Sequence, residues 1–434
     1  MFSRMLPIRQ YLPDRSIADL PAEVRKQLDS SKFSATPKRG GRIAIGVGSR
    51  GIANIATIVR SAVTYWYQAG YKPFIFPAMG SHGAATAEGQ AQVLARYGID
   101  EGTMGCPILS SLDVVSLGRT HHGIEVFMDR NAYSSDAVML IGRVKWHTDF
   151  SGKLESGLFK MMAIGLGKFA GARQYHAFAH NIGLEHVIRT VGRQVLSSGK
   201  IIGGLAVLED ALHNTAHVEA IPINIMEQRE EELLCLAKSW KARIPVDHLD
   251  LLIVDEIGKN IMGSGMDTKV VNRSVHGAYN PWSDAGTRIE RIFVRDLNDI
   301  THGNAAGIGL ADVIHDRILA KVDWHMTWVN VLTGSVPAAA RLPIHYPSDR
   351  ECIEKIAPTA GKVDTQDLTI GWIWNTLELT WLMLSENLRP EIEANPDLEI
   401  IGLAQNFCYD QNGNLPTMLD AAGVSTGHFS PVNA

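Results

Sequence analysis

The chain has few cysteines, no paired cysteine motif and no long uninterrupted apolar segment. Its four cysteines are scattered through 434 residues without a C-x-x-C spacing, which argues against a zinc or disulfide framework and favours reduced thiols. Residues 1–15 lack the apolar core of a signal peptide, and the longest apolar stretch, residues 369–384, is interrupted by Asn375, Glu378 and Thr380. We therefore expect a cytoplasmic protein that does not span a membrane.

Excess positive charge is also absent. With a net charge of −5, the chain lacks the excess of basic residues that binding to nucleic acid or to an anionic membrane surface requires, so neither is expected as a partner. An anionic small substrate would have to be held by local arginines and lysines. With 45% hydrophobic residues, 20% charged residues and 40 glycines, the composition is that of a globular α/β enzyme, and the length favours about two domains.

The hydrophobic pattern predicts two α/β domains with mainly parallel, Rossmann-like sheets and an active-site cleft between the domains. Residues 42–47, 72–78 and 136–144 read as strands, and helical segments separate the first two. After a polar linker at residues 236–250, strands are predicted at 249–258, 288–297 and 398–404, and a helix at 307–322. The predicted boundaries are 1–40 for a polar leader, 41–240 for the first domain and 241–434 for the second.

Polar residues follow the ends of these strands. Gly48, Ser49 and Arg50 lie in the turn GVGSRG, His82 in the loop after the second strand, and His147 just beyond residue 144. Ligands of open α/β sheets bind outside the carboxyl ends of the strands, so these residues are expected to converge. The backbone N–H groups and the guanidinium of the first turn suit an anion. The alternative for the turn GVGSRG is a glycine-rich turn that binds no ligand. The alternative for His82 is a solvated or capping residue.

Lys160 and His176 lie sixteen positions apart in the glycine-containing run 153–176. In one continuous helix their side chains would point roughly 160° apart, so a shared ligand requires the chain to bend between them. Gly165 and Gly167 are the expected place of the bend, since each costs about 1 kcal/mol in a helix relative to alanine. The alternative is an amphipathic helix that exposes the lysine and the histidine.

The run from His147 to His176 resembles the corresponding stretch of the nickel-pincer-nucleotide lactate racemase family. The resemblance implies a nickel-pincer nucleotide, pyridinium-3,5-bisthiocarboxylic acid mononucleotide nickel, linked covalently to Lys160 and ligated through nickel by His176. It also implies that His82 and His147 are the acid and base, and that Arg50 binds the substrate carboxylate. Lys153 and Lys168 are the competitors of Lys160, and His180 is the alternative metal ligand.

The resemblance implies a racemase or epimerase of a 2-hydroxyacid that works by hydride transfer through a 2-keto intermediate. Val47 stands where the family has an aspartate, and Gly83 where it has an arginine. The second domain also lacks the lactate-type glutamine and lysine motif. A 2-hydroxyacid other than lactate is therefore expected, and the candidates for contacting it are the polar residues Lys259, Asn260, Asp267, His302 and Asn304.

Two other functions fit parts of the pattern. One is a non-catalytic, ligand-binding homologue of the same fold, and the other is a nucleotide-dependent oxidoreductase, against which the incomplete glycine fingerprint speaks. His121 and His122 are adjacent on a predicted turn. Adjacent side chains on a turn usually point apart, so these histidines are expected to be structural rather than metal ligands.

Overall fold

A computed structural model describes residues 2–48, 51–282 and 286–424. The chain forms two compact units. Among the described residues, the N-terminal unit is Pro13–Lys241, and the C-terminal unit combines the residues before Pro13 with those from Ala242 to Val424. The residues expected to form a leader thus contribute to both units, because residues 5–10 form a strand of the C-terminal unit and residues 20–31 a helix of the N-terminal unit.

The described part of the chain contains strands of three to ten residues. They are β1 Met5–Gln10, β2 Arg42–Val47, β3 Lys72–Pro77, β4 Val114–Arg119, β5 Glu125–Asp129, β6 Ala137–Arg143, β7 Ile201–Glu209, β8 Thr215–Pro222, β9 His248–Ile257, β10 Arg288–Leu297, β11 Val313–His315, β12 Ile344–Tyr346, β13 Ile370–Ile373, β14 Trp381–Ser385 and β15 Leu398–Ile400.

The α-helices of the same residues vary from one turn to four. They are α1 Leu20–Ser31, α2 Ile55–Gln68, α3 Ala87–Arg96, α4 Glu101–Met104, α5 Arg130–Tyr133, α6 Leu158–Lys160, α7 Lys168–Ile182, α8 Leu184–Leu196, α9 Met226–Trp240, α10 Arg317–Lys321, α11 Trp324–Thr333, α12 Asp349–Ile356, α13 Arg389–Ala394 and α14 Met418–Ala422. No helix among the described residues is both long enough and apolar enough to cross a membrane.

The N-terminal unit is built on a five-stranded sheet in the order β3-β2-β6-β7-β8. The first four strands are parallel, and β8 runs antiparallel to β7. Alternating residues of β2 enter different cores: Ile43 and Ile45 pack with α1 and α2, whereas Ala44 packs with α7 and α8. Helices therefore cover both faces of the sheet, as the doubly wound prediction requires. A separate hairpin pairs β4 with β5.

The C-terminal unit has an eight-stranded sheet in the order β12-β11-β10-β9-β13-β14-β1-β15. Its strands are parallel from β12 to β13 and antiparallel from β14 to β15. The prediction of two α/β units with mainly parallel sheets is confirmed. The prediction of one helix over residues 307–322 is wrong, because Val313 and Ile314 pair with Phe293 and Val294 of β10 and only Arg317–Lys321 is helical.

Candidate functional site

The N-terminal sheet has a crevice where its strand order reverses. From β2 the chain passes to β3 on one side, while β6 lies on the other, so the reversal falls between the carboxyl ends of β2 and β6. Gly48 follows β2 at this place, and its N–H donates to the carbonyl of Ile141 in β6 (3.4 Å). Such a switch point is the usual ligand site of open α/β sheets.

The segment that carries Lys160 crosses this switch point. Met161 packs beside both strand ends: a Cβ added to Gly48 would lie 3.8 Å from its Cε, and one added to Gly142 would overlap its Sδ. Lys160 is the last residue of α6, followed by a π-helical turn over Met161–Gly165. Short π turns are frequent at functional sites. Lys160 therefore lies beside the crevice, and its side chain is partly buried.

Glu230 of α9 anchors the turn that holds Lys160. Its carboxylate is fully buried and accepts hydrogen bonds from the backbone N–H groups of Leu158 and of Phe159, the latter at 3.0 Å. Burial raises the pKa of Glu230 to about 8, although the two amides oppose the shift. This role could not be predicted from the sequence, since nothing distinguishes Glu230 from the other acidic residues of the run MEQREEE.

The chain bends between Lys160 and His176, but not for the expected reason. Gly167 has ordinary helical dihedrals (φ −69°), whereas Lys168 adopts the left-handed conformation (φ 53°). The glycines instead permit close packing, because a Cβ at Gly165 would lie 2.7 Å from the carbonyl oxygen of Ala78. Lys160 and His176 are thus on different helical segments.

Lys168 is fully buried, which removes it as a cofactor lysine. Its Nζ lies 3.1 Å from Oδ2 of Asp129 and donates to the carbonyl of Pro77 (2.6 Å) and to Oε1 of Gln90 (3.1 Å). Gln90 in turn donates to the carbonyls of Met79 and Gly80. This cluster fixes the backbone that leads from β3 to His82. The third lysine, Lys153, is exposed on the surface.

The loop after β6 places His147 through hydrogen bonds to a buried carboxylate. Glu155 accepts from the N–H of His147 (2.6 Å) and of Gly152 (3.0 Å) and pairs with Lys238 (2.6 Å). The ring nitrogen Nδ1 of His147 accepts from the N–H of Asp149 (3.1 Å). A nitrogen that accepts an N–H has no proton of its own, so the neutral ring carries its proton on Nε2.

His176 is solvent-accessible in α7, yet its pKa is lowered. The largest cause is desolvation by the surrounding protein, followed by the positive charge of Lys160, while Asp149 opposes both. A side chain such as His176 can be both accessible to water and partly desolvated when it lies in a concave part of the surface, because protein atoms then surround much of it. The direction of the shift favours the neutral imidazole.

His82 is partly buried at the start of the short turn Gly83–Ala85. Gly83 has φ 62°, and a Cβ there would overlap the backbone of Gly89 and Gln90, so an arginine cannot occupy this position in the observed backbone. Ser49 and Arg50 lie outside the described residues. The loop just after them is held in place, because the N–H of Ala53 donates to Glu209 (2.9 Å) and Arg143 donates to the carbonyl of Gly51 (2.7 Å).

Glu209 and Arg143 form a nearly buried ion pair at the same edge of the sheet. Burial alone would raise the pKa of Glu209, but the charges of Arg143 and Lys241 outweigh it and lower that pKa. The carboxylate therefore stays ionised and retains its hydrogen bond to the loop that follows Arg50.

The candidates in the C-terminal unit have structural partners. Lys259 donates to the carbonyl of Gly263 (2.7 Å) and to Oδ1 of Asn330 (2.7 Å). Oδ1 of Asn304 accepts from the N–H of Ala306 (3.1 Å), which closes a local turn. Asn260 and His302 lie on loops of this unit, and Asp267 is buried and accepts from the N–H of Lys269 (2.9 Å).

A cavity of about 420 Å³ in the N-terminal unit does not contain the predicted site residues. It lies beside the charged faces of α8 and α9, where Arg189 pairs with Glu227 (2.7 Å). We place the candidate site at the switch point because the ends of β2 and β6 lie there and Met161, next to Lys160, packs beside both.

Comparison with known proteins identifies a distant structural likeness. The chain resembles the lactate racemase apoprotein from Thermoanaerobacterium thermosaccharolyticum, with a TM-score of 0.47 and 14% sequence identity over 86% of this chain and 99% of that chain. No family model and no curated protein sequence matches the chain. The functional argument therefore rests on the residues at the switch point.

Proposed function

We propose that the protein is a racemase or epimerase of a 2-hydroxyacid that uses a nickel-pincer nucleotide held by Lys160 and His176. The observation that supports this most is that Lys160 lies on a π turn beside the switch point, with a break in the helix between it and His176. A π turn, the left-handed residue Lys168 and the buried Glu230 shape the segment that leads from Lys160 to His176.

The residues present fit the chemistry of that group. A lysine amine can form a covalent link to a carboxyl-derived group, and a neutral imidazole is a suitable ligand for nickel. Desolvation is the largest cause that lowers the pKa of His176, and it remains after Lys160 loses its charge in the covalent link, so the unprotonated ring that metal binding requires is favoured. When bound, the group supplies a hydride acceptor and donor for the substrate Cα.

The protein's own contribution is to bind the acid and to move the hydroxyl proton. Arg50 would hold the carboxylate through two parallel hydrogen bonds, with the Gly48 and Ser49 backbone beside it. In the neutral ring of His147 the lone pair is on Nδ1, which accepts from the N–H of Asp149, so His147 would have to be protonated on both nitrogens, and lose that hydrogen bond, to act as the acid. A neutral His82 would then be the base, and the opposite direction of reaction would require the reverse protonation states.

The substrate is proposed to be a 2-hydroxyacid other than lactate, with additional polar groups such as those of a sugar acid. Val47, at the end of β2, is fully buried and offers no acceptor where the resemblance leads us to expect an aspartate. A panel of single-enantiomer 2-hydroxyacids, followed by chiral chromatography, would test this. Fastest conversion of lactate would contradict the proposal on substrate but not the one on chemistry.

The cofactor is tested by intact mass and nickel content after production in a host able to make the group. The wild-type chain is expected to carry one added mass and one nickel ion. Lys160→Ala should lose the added mass, and His176→Ala should lose nickel without loss of the fold. Lys153→Ala, an exposed lysine of the same run, and His180→Ala serve as matched controls. If His180→Ala instead lost the nickel, the ligand would be His180.

The acid and base roles give a separate expected result. Replacing His82 or His147 by glutamine should reduce racemisation about 10²- to 10⁴-fold, which is the usual contribution of a positioned acid or base. The loaded cofactor should be unchanged in both variants, as mass and nickel content would show. Full activity of both would contradict the assignment.

The origin of the Cα hydrogen separates this chemistry from a simple proton abstraction. With hydride transfer, a Cα-deuterated substrate should keep its deuterium through inversion in ordinary water. Loss of the label to solvent at the rate of racemisation would instead indicate removal of the Cα hydrogen as a proton.

A further inference from the structure

Three histidines come together on the surface of the N-terminal unit, away from the residues assigned above. His121 and His122 lie on the turn between β4 and β5, and His186 lies in the first turn of α8. Their ring nitrogens all lie within 4.8 Å of one another, and Nε2 of His122 is 2.7 Å from Nε2 of His186. The ring centroids of His121 and His122 are 3.9 Å apart.

This arrangement corrects the expectation for the adjacent pair. The two side chains do not point apart, because the turn is tight: the N–H of Gly123 donates to the carbonyl of Thr120 (2.9 Å), and that of Thr120 to the carbonyl of Ile124 (2.9 Å). The sequence could not have revealed His186 as the third member, since it is more than sixty positions away and on a helix.

The backbones that carry the three rings are held in register. Gln194 of α8 donates to the carbonyl of Leu117 in β4 (3.0 Å), which ties the helix to the hairpin. Arg119 donates to the carbonyl of Gly123 (3.2 Å) and closes the turn from the other side. The imidazoles are therefore presented by two elements of one packed unit, and their approach does not depend on one flexible loop.

The nitrogens of the cluster face one another, and at most one proton can be shared between Nε2 of His122 and Nε2 of His186, which lie 2.7 Å apart. A cation that accepts several lone pairs at once satisfies the set better than that single proton.

We propose that His121, His122 and His186 form a binding site for a divalent first-row transition metal such as Zn²⁺, completed by water. Three imidazoles and an open position are a common zinc ligand set, with Zn–N distances of about 2.0–2.1 Å. A tetrahedral ion separates its ligand atoms by roughly 3.3 Å, so His122 and His186 must move apart by about half an ångström. Both side chains are exposed and can make this adjustment.

The metal would join the hairpin to α8. Both ligand-bearing elements already pack together, so the ion would stabilise an existing arrangement and is expected to raise the thermal midpoint of unfolding. This site is separate from the proposed nickel site, because its three ligands include neither Lys160 nor His176.

The test is titration of chelator-treated protein with Zn²⁺ alone, by calorimetry and by metal analysis after dialysis. Wild-type protein should bind one Zn²⁺ per chain. His122→Ala and His186→Ala should each weaken binding more than about 100-fold, which exceeds the usual effect of removing a residue that only hydrogen-bonds to a metal ligand. His325→Ala, an exposed histidine of the C-terminal unit, and His176→Ala should bind as the wild type does.

Other outcomes would overturn the proposal. Unchanged binding in both cluster variants, or no binding by wild-type protein at micromolar Zn²⁺, would mean that the histidines only share a hydrogen bond. Loss of binding in His176→Ala alone would assign the ion to the proposed cofactor site. Thermal midpoints measured without metal separate loss of a ligand from loss of the fold, and His121→Ala provides a second ligand variant. The site would be supported if Zn²⁺ raised the thermal midpoint of unfolding of the wild-type protein but not that of His186→Ala.

Discussion

Lys168→Met is expected to lower the free energy of unfolding of the N-terminal unit by about 3–5 kcal/mol, the usual effect of breaking a buried ion pair. The substitution leaves the carboxylate of Asp129 buried without its cation, and both side chains are inaccessible to solvent. It also removes the hydrogen bonds to Pro77 and Gln90. Urea unfolding followed by a signal from this unit would measure the loss.

The size of the effect depends on the unpaired charge more than on the lost contact. Asp129→Asn should also destabilise the unit, because Lys168 would then be the buried charge without a partner. The double variant should be more stable than the sum of the single losses predicts. Lys26→Met, which breaks an exposed pair with Glu23, is the matched control and should change stability by less than about 1 kcal/mol. Equal effects of the buried and exposed lysines would contradict this account.

Glu230 is expected to make stability depend on pH. Its pKa in the folded protein, raised by burial to about 8, lies above the ordinary value of 4.5, so the folded state holds the proton more tightly. The stabilisation is complete below pH 4.5 and is lost as pH rises towards 8. Between these limits the contribution should fall by about 1.4 kcal/mol per pH unit.

The change is isolated by comparing wild type with Glu230→Gln. Glutamine does not titrate, and its amide group can accept only one of the two backbone N–H groups that Glu230 accepts, so the variant should be less stable at pH 5 by a few kcal/mol. The difference should shrink or reverse by pH 8. Glu232→Gln, on the exposed face of α9, is the control: hydrogen bonds to Arg229 and Gln228 lower the pKa of Glu232, so any pH dependence that this variant removes has the opposite sign. A difference that is constant with pH would mean that Glu230 is ionised throughout.

Several strands were predictable because local pattern and packing agree there. β2 and β10 lie at residues 42–47 and 288–297 as predicted, since both contain isoleucine, valine and other apolar residues that become buried in a sheet. Residues 307–322 look helical by period, but parallel pairing with β10 overrides that preference for Val313 and Ile314. β1 was missed because its partners lie more than 370 positions away in the chain.

For the site residues, too, some features could be predicted from the sequence and others depend on the tertiary structure. The placement of His82 and His147 after parallel strands follows from sequence, because the carboxyl ends of such strands meet at one edge. The need for a bend before His176 follows from helical phase alone. Whether these residues act as proposed remains a prediction. The supporting groups Glu230, Glu155 and Asp129 carry no signal in the sequence, since burial beside a distant backbone is what gives each its role.

Composition, strand periodicity and the spacing of a few polar residues therefore determined the fold class and the edge of the sheet at which to look for a site. The tertiary structure alone decided that Lys168 is buried in an ion pair, that a left-handed lysine forms the bend and that His186 joins His121 and His122. The physical reason is the separation along the chain over which each interaction acts. Backbone preference and periodicity act over a few neighbouring residues, whereas burial and charge pairing depend on segments that meet only in the folded chain.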